Sequence, residues 1–216
     1  ATHRNDVDIP DEVTTYKYDV LGNLEYILTP GHDSYYEYDE LNRLQTLTHF
    51  RDEGNGVFDG TEYLLATFAY TVRHDGRRTQ AVETFYDSAG TNVIQTNTFD
   101  WDYDRAGRLI QEELSSNVLA NFTMSYEYDL VGNRLKKETD DLSDGSINET
   151  ITYDYDLNDR LTHDETNNGL GVLISSTDYE YGPSDAWTQQ TKKIERDAAG
   201  TAVKVTDSTY NRQGRL

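Results

Sequence analysis

The sequence has no cysteine, and this absence excludes both a disulfide framework and thiol chemistry. Only 35% of its residues are hydrophobic, and the mean hydropathy is −0.81. No run of about 18 apolar residues and no signal peptide is visible, so we expect no membrane-spanning helix. Helical periodicity is almost absent, whereas tyrosine, threonine, valine and isoleucine, which favour strands, are frequent.

Positive charge is also scarce, because 19 lysine and arginine residues stand against 40 aspartate and glutamate residues, for a net charge of −21. A nucleic-acid partner requires clustered basic residues, so the balance argues against this class of protein. The charge predicts a soluble, self-repelling surface. An acidic site for cations or for basic partners is the alternative that composition leaves open.

What the sequence does contain is 17 tyrosines, many of them in a recurring motif whose best copy is YEYDLVGNRL at residues 126–135. Tyr126 and Tyr128 are two residues apart, so both rings lie on one face of an extended strand. Asp129 and Gly132 begin and end an Asp-x-x-Gly sequence, which is typical of a type I turn. The motif therefore predicts a strand, a tight turn and a returning strand.

The hairpin register follows from this turn. We expect Leu135 to lie opposite Tyr128, and Arg134 to lie opposite Asp129 as its ion-pair partner. Compared with the other copies, this one has an additional residue before its leucine, which predicts a turn that is longer by one residue.

Further copies keep the aromatic pair and the turn aspartate, with a glycine at the fourth turn position or an arginine after the turn. These residues are Tyr16, Tyr18, Asp19 and Gly22; Tyr36, Tyr38, Asp39 and Arg43; Trp101, Tyr103, Asp104, Gly107 and Arg108; and Tyr153, Tyr155, Asp156 and Arg160. Asn42 and Asp159 replace the turn glycine, and these residue types best tolerate a positive φ. Each Asp–Arg pair is expected to set the register and to contribute about 0 to 1 kcal/mol.

Degenerate copies extend the pattern, and the second aromatic residues fall at positions 18, 38, 70, 103, 128, 155, 181 and 210. In the third copy, Tyr70 is assigned to this position, and the turn is expected near Asp75 and Gly76. The repetition predicts an all-β fold of tandem antiparallel hairpins. We interpret residues 1–216 as a single array of about eight repeats and expect it to be a fragment of a longer repeat protein.

With these motifs in view, the chain resembles the YD-repeat family, also called Rhs repeats. This family occurs in bacterial Rhs polymorphic toxins, insecticidal toxin complexes and animal teneurins. The resemblance implies hairpins that wind as a spiral sheet and form part of a shell or barrel. It also implies that the shell encloses a toxin domain, or acts as an extracellular scaffold. The closing segment of bacterial Rhs cores, with its cleavage aspartates, is not visible in the sequence.

The sequence evidence for a catalytic or metal-binding site is weaker than the evidence for the repeat. Glu53, Asn55, Asp59 and Glu62 match four ligand positions of a calcium loop, but Arg51 occupies the first position, so a plain glycine-rich loop is favoured. The histidines, which are His3, His32, His49, His74 and His163, show no metal-binding spacing, and we expect them to be exposed and without a metal. A catalytic carboxylate pair is also disfavoured, because the repeat aspartates already have a role in turns.

These observations favour a non-enzymatic structural scaffold of a large secreted or cell-surface protein, with no cofactor. Its expected partners are neighbouring repeats and an enclosed toxin or effector domain. One alternative is an extracellular adhesion or carbohydrate-binding module whose tyrosines stack on sugars and which binds a glycan or a cell-surface receptor. Another is a self-assembling fibre joined through unprotected edge strands. A regular ladder of tyrosines between hairpins is favoured over a sugar-binding face.

Overall fold

The computed structural model describes residues 13–51, 62–142, 144–182 and 189–210. Within these ranges every regular element is a strand, and there is no helix, so none could cross a membrane. The strands are β1 (Thr15–Tyr18), β2 (Leu24–Thr29), β3 (His32–Tyr38), β4 (Leu44–Arg51), β5 (Tyr63–Val72), β6 (Arg78–Tyr86), β7 (Val93–Tyr103), β8 (Leu109–Ser116), β9 (Phe122–Tyr128), β10 (Arg134–Asp140), β11 (Glu149–Tyr155), β12 (Leu161–Asn168), β13 (Leu173–Tyr181), β14 (Gln190–Asp197) and β15 (Ala202–Asp207).

The sheet topology is the simplest that a chain can adopt. All 15 strands belong to one open sheet, in which each strand is hydrogen-bonded to the next in sequence. The pairs are antiparallel, as tight turns require. The predicted all-β fold of tandem hairpins is therefore confirmed, while the winding of the sheet into a shell stays a prediction.

The chain divides into two compact units. The first contains Ala1–Phe99 and Ser116–Leu119, and the second contains Asp100–Ser115 and Ala120–Leu216. Each unit is built from the same hairpin.

In the first unit, the hairpin of β3 and β4 illustrates the repeat register. Tyr38 lies opposite Leu44 beside the turn, but Glu37 lies opposite Thr46, so the register shifts by one residue. Gln45 is the extra residue of this β-bulge. From the bulge to the far end of the hairpin, the pairing continues without another shift.

In the third hairpin, formed by β5 and β6, the position of the second aromatic residue differs from the prediction. Val72 lies opposite Arg78, just as Tyr38 lies opposite Leu44, so Val72 and not Tyr70 occupies the position of the second aromatic residue. The turn that follows begins at Arg73, because the Gly76 N–H donates to the Arg73 carbonyl at 2.9 Å. The sequence-based assignment was wrong because the aromatic pair was used to set the register in place of the turn.

In the second unit, hairpins that follow one another are paired over only part of their length. Pairing between β10 and β11 stops at Lys136 and Thr152, so residues 153–155 of β11 pair with β12 alone. Pairing between β12 and β13 likewise stops at His163 and Asp178, short of residues 179–181. Neighbouring hairpins thus separate towards the ends that carry the Asp turns.

The hydrophobic core is small, as the low apolar content predicts. Of the residues in the described ranges, the hydrophobic ones that are buried are Leu28, Ala66, Ala81 and Leu114. Most strand positions are only half-buried. Cross-strand hydrogen bonds and side-chain contacts therefore carry much of the order in each unit.

Candidate functional site: the Asp turns and the contacts between hairpins

The Asp turn is stabilised by its own aspartate. In the best copy, Asp129 Oδ1 accepts hydrogen bonds from the main-chain N–H groups of Val131, Gly132 and Asn133 at 3.0, 2.7 and 2.8 Å. The Asp129 N–H donates in turn to the Asn133 carbonyl at 2.9 Å and closes the loop. Gly132 has φ 110°, a conformation that a residue with a side chain rarely adopts.

The substitutions of the turn glycine confirm this geometry. Asn42 and Asp159 each have φ 59°, and they are the only residues other than glycine with positive φ in the described part of the chain. Asparagine and aspartate tolerate this left-handed conformation best. The prediction for both residues is therefore confirmed.

The three Asp–Arg pairs also form as predicted. Their side chains approach to 2.7 Å for Asp39 and Arg43, and to 2.6 Å for Asp104 with Arg108 and for Asp156 with Arg160. The hydrogen bond from the arginine side chain is the main cause of the lowered pKa of Asp39 and of Asp156. For Asp104, the main-chain N–H of Arg108 is the largest cause of the lowered pKa.

The corresponding prediction for Asp129 is wrong. Arg134 lies opposite Tyr128 and not opposite Asp129, and the partner of Asp129 Oδ2 is the Asn133 amide at 2.9 Å. The turn is no longer than the others, because it closes from the first residue to the fifth, like the turn at Asp39. The expected pairing of Leu135 with Tyr128 is also wrong, because Arg134 takes that place and Leu135 occupies the β-bulge, as Gln45 does in the hairpin of β3 and β4, so this repeat contains no additional residue.

Arg134 instead contacts the first aromatic residues of two repeats. Its guanidinium carbon lies 4.9 Å from the centre of the Tyr153 ring and 5.7 Å from that of Tyr126. Trp101, which is the equivalent residue in another repeat, donates its indole N–H to Glu112 at 3.1 Å. The first aromatic residues thus pack and bond within their unit.

The second tyrosine of the repeat has a different task, which is to join consecutive hairpins. Its hydroxyl donates to a main-chain carbonyl at the start of the return strand in the preceding hairpin. The pairs are Tyr38 with Leu24 (2.9 Å), Tyr128 with Leu109 (2.8 Å), Tyr155 with Arg134 (3.0 Å), Tyr181 with Leu161 (2.7 Å) and Tyr210 with Gln190 (3.0 Å). The second tyrosines therefore connect consecutive hairpins through a hydroxyl-to-carbonyl bond, which the sequence did not predict, whereas the expected ladder of tyrosine rings stays a prediction.

The separation of the strands explains why tyrosine is needed there. Tyr155 lies beyond Thr152, where the pairing of β11 with β10 ends, so no main-chain N–H of β11 reaches the Arg134 carbonyl. A phenol is long enough to span the gap, and its hydroxyl supplies the missing donor. Phenylalanine would fill the space but leave the carbonyl without this donor.

Side chains of the turns form a second set of contacts between hairpins. In the first unit, the Asn23 amide donates to Asn42 Oδ1 at 3.3 Å, and Arg43 Nη1 donates to the Arg73 carbonyl at 2.7 Å. In the second unit, Arg108 Nη1 donates to the Asp129 carbonyl at 2.6 Å. At these three turns, the residue that follows the turn therefore bonds to a later turn of the same unit.

The second unit contains one more such contact, from the Asn133 amide to Asp159 Oδ1 at 3.0 Å. Asp159 thus serves both as the left-handed turn residue and as the acceptor for the preceding turn. Sequence reasoning missed these contacts, although the recurring Asn or Arg directly after the turn was a visible signal.

The histidines were expected to be exposed, which holds for His32 and His74 but not for His49 and His163, which are half-buried, and His32 and His49 lie together in the first unit. His32 Nε2 lies 3.1 Å from His49 Nδ1, and Ser34 Oγ lies 2.9 Å from the same nitrogen. Burial and, to a smaller extent, the charge of His32 lower the pKa of His49. The His49 ring also packs edge-on against Phe68, with 5.7 Å between the ring centres.

Other polar side chains form satisfied local networks in the second unit. Asp178 accepts from Arg196 Nε at 2.8 Å, and its other oxygen lies 2.7 Å from His163 Nδ1. Burial and a hydrogen bond to Asp164 raise the pKa of Tyr179 to about 12. These are ordinary cross-strand pairs between neighbouring strands.

Most residues of the predicted calcium loop lie outside the part of the chain that the structure describes. Glu53, Asn55 and Asp59 lie outside the described residues, whereas Glu62 directly precedes β5. No group of three or more histidine or acidic side chains suited to a metal occurs in the described ranges. The calcium loop stays a prediction.

Comparison with known proteins gives structural likeness only. No family model matches the chain, and no curated protein matches it. A solved structure of the Tc holotoxin pore of Photorhabdus luminescens aligns with 90% of this chain and 15% of its own, at 13% identity and a TM-score of 0.23. The crystal structure titled TcdB2-TccC3-TEV aligns with 94% of this chain and 16% of its own, at 13% identity and a TM-score of 0.23.

A third solved structure is a porin-like protein from Bacteroides uniformis. It aligns with 85% of this chain and 87% of its own, at 14% identity and a TM-score of 0.28. In contrast, the chain spans only a small part of the length of the toxin chains that it matches.

Proposed function

We propose that this chain is a YD-repeat or Rhs-repeat segment with a structural, non-enzymatic function. It belongs to a large secreted or cell-surface protein, whose β scaffold encloses or presents a toxin or effector domain. The observation that carries the proposal is the hydroxyl contact of the second tyrosine with the preceding hairpin, which recurs in both units. The residues that define the repeat thus serve to join one repeat to the next.

The hydrogen bonds of the turn aspartates support a non-enzymatic function. The carboxylates of Asp39, Asp104 and Asp156 accept bonds from their own turns and from arginine. Their pKa values are lowered, whereas a general acid requires a raised one. A free acid poised for proton transfer is therefore not provided by the repeat.

The partners follow from the same arrangement. Each hairpin offers its return strand and its turn to the next hairpin, so neighbouring repeats of the same protein are the first partner. The enclosed domain is the second partner, as the resemblance to Rhs toxins implies. The net charge of −21 supports the exclusion of nucleic acid.

Limited proteolysis of the full-length secreted protein tests the proposal. A scaffold that encloses an effector protects that domain, so both remain intact at protease concentrations that cut unprotected linkers. When several of the second tyrosines are replaced by phenylalanine, we expect the protease to digest the scaffold and the effector domain at the same, lower protease concentration. Rapid digestion of the effector while the repeats stay intact would contradict enclosure. Hydrolytic activity of this chain alone on a panel of glycans would contradict the non-enzymatic function.

A further inference from the structure

We infer that His32, His49 and Ser34 form a binding site for a transition-metal dication such as Zn²⁺, Cu²⁺ or Ni²⁺. The site is independent of the proposed scaffold function. It lies in the first unit, where β3 and β4 place Ser34 directly opposite His49 and place His32 two residues earlier on the same face. Three donor atoms lie close together there, because His32 Nε2 and Ser34 Oγ are each within hydrogen-bond distance of His49 Nδ1.

The distance between the two nitrogens suits a shared metal ion. Two nitrogens that are each roughly 2.0 to 2.1 Å from a metal lie about 2.9 Å apart at a right angle and about 3.3 Å apart at the tetrahedral angle. The observed separation of 3.1 Å falls between these values. A bound dication would replace the hydrogen bond between these two nitrogens and keep their separation almost unchanged.

The type of donor selects the class of metal. Imidazole nitrogen suits zinc, copper and nickel, whereas calcium and magnesium prefer carboxylate and carbonyl oxygen. The Ser34 hydroxyl adds one oxygen donor, and water would complete the coordination.

The neighbouring side chains fix the ring of His49, whereas the ring of His32 is accessible to solvent. His49 is half-buried and packs against Phe68, while Ser34 is only 7% exposed, so these two donors are fixed. His32 is exposed, and its ring centre lies 4.9 Å from that of His49. A dication can thus reach the site from solvent, and the exposed ring adjusts around it.

The aromatic contacts provide the competing explanation, in which the histidines serve only to stack. The rings of His32, His49, Phe68 and Phe85 follow one another at 4.9, 5.7 and 6.0 Å. Phenylalanine at either histidine keeps such stacking and removes the ligand nitrogen. His32→Phe and His49→Phe therefore separate the two explanations.

The test is calorimetric titration of the metal-free full chain with Zn²⁺, followed by NMR of the histidine side chains. We expect one equivalent of Zn²⁺ to bind and to shift the ring nitrogens of His32 and His49, while those of His163 stay unchanged. Either phenylalanine variant should lose at least tenfold in affinity. The matched control, His74→Phe, alters an exposed turn residue and should keep the parent affinity.

Several results would overturn the inference. Absence of heat at 100 µM Zn²⁺ is one, and equal affinity of the parent chain and His32→Phe is another. If His49→Phe does not fold, then His32→Phe, at an exposed position, still decides.

Discussion

Replacing Tyr128 by phenylalanine removes the hydroxyl that joins two consecutive hairpins while keeping the ring. This hydroxyl donates to the Leu109 carbonyl at 2.8 Å, in a part-buried position. A net hydrogen bond contributes about 0.5 to 1.5 kcal/mol, and a carbonyl left without its donor adds to the loss. We therefore expect Tyr128→Phe to lower the free energy of unfolding by about 1 to 2 kcal/mol.

Urea unfolding followed by circular dichroism measures this change. The slope of the transition should be preserved, because the surface exposed on unfolding is almost the same. The matched control is Tyr18→Phe, because Tyr18 is the second tyrosine of the first repeat, is 62% exposed and ends β1, the first described strand, so that no described hairpin precedes it. We expect the control to change stability by less than about 0.5 kcal/mol. Equal losses for the two variants would refute the argument that the second tyrosine joins hairpins through its hydroxyl.

Three further predictions concern the turns. Arg108→Lys should cost roughly 1 kcal/mol, measured by urea unfolding, because lysine cannot bond Asp104 and the Asp129 carbonyl together. Gly132→Val should cost about 1 to 3 kcal/mol, because φ is 110°, whereas Val131→Thr at a 72% exposed position should be nearly neutral, and equal urea midpoints would count against the turn geometry. The lowered pKa of Asp156 means that its contribution to stability is present above the ordinary value of 3.8 and is lost as pH falls below it. Asp156→Asn should therefore flatten the decline in the urea midpoint between about pH 5 and pH 2, and an unchanged profile would exclude this contribution.

The hairpin and its turn were predictable because they depend on local chemistry. The Asp-x-x-Gly sequence and its substitutes Asn42 and Asp159 determine φ within a few residues, and the observed values agree. The Asp–Arg pairs are also local, because the two residues lie four positions apart. The interpretation failed at Asp129 because the leucine was used to set the register, whereas in this repeat Arg134 takes the position opposite the second tyrosine and Leu135 occupies the β-bulge.

The contacts between hairpins could not be predicted, because they depend on where neighbouring strands separate. Tyr155 reaches the Arg134 carbonyl because the pairing of β10 with β11 ends at Thr152. Nothing in the motif indicates where that pairing ends. The repetition of tyrosine at the second position was the available signal, and it indicated a ladder without identifying the acceptors.

The histidine pair was missed because of the β-bulge. Counting back from Tyr38 opposite Leu44 without a bulge would place His49 opposite Asp33, on the other face from His32. The bulge shifts the register by one residue, so His49 lies opposite Ser34 and joins the face of His32. A single residue inserted in one strand therefore decides whether these side chains meet.

The central claim is that each hairpin is stabilised by the next, and a series of chain lengths tests it most directly. Chains that end after β10, after β12 and after β14 can be compared by urea unfolding. The account predicts that the free energy of unfolding rises with each added hairpin, because every hairpin adds a tyrosine contact and a strand pairing. Equal free energies of unfolding for the three chains would contradict it.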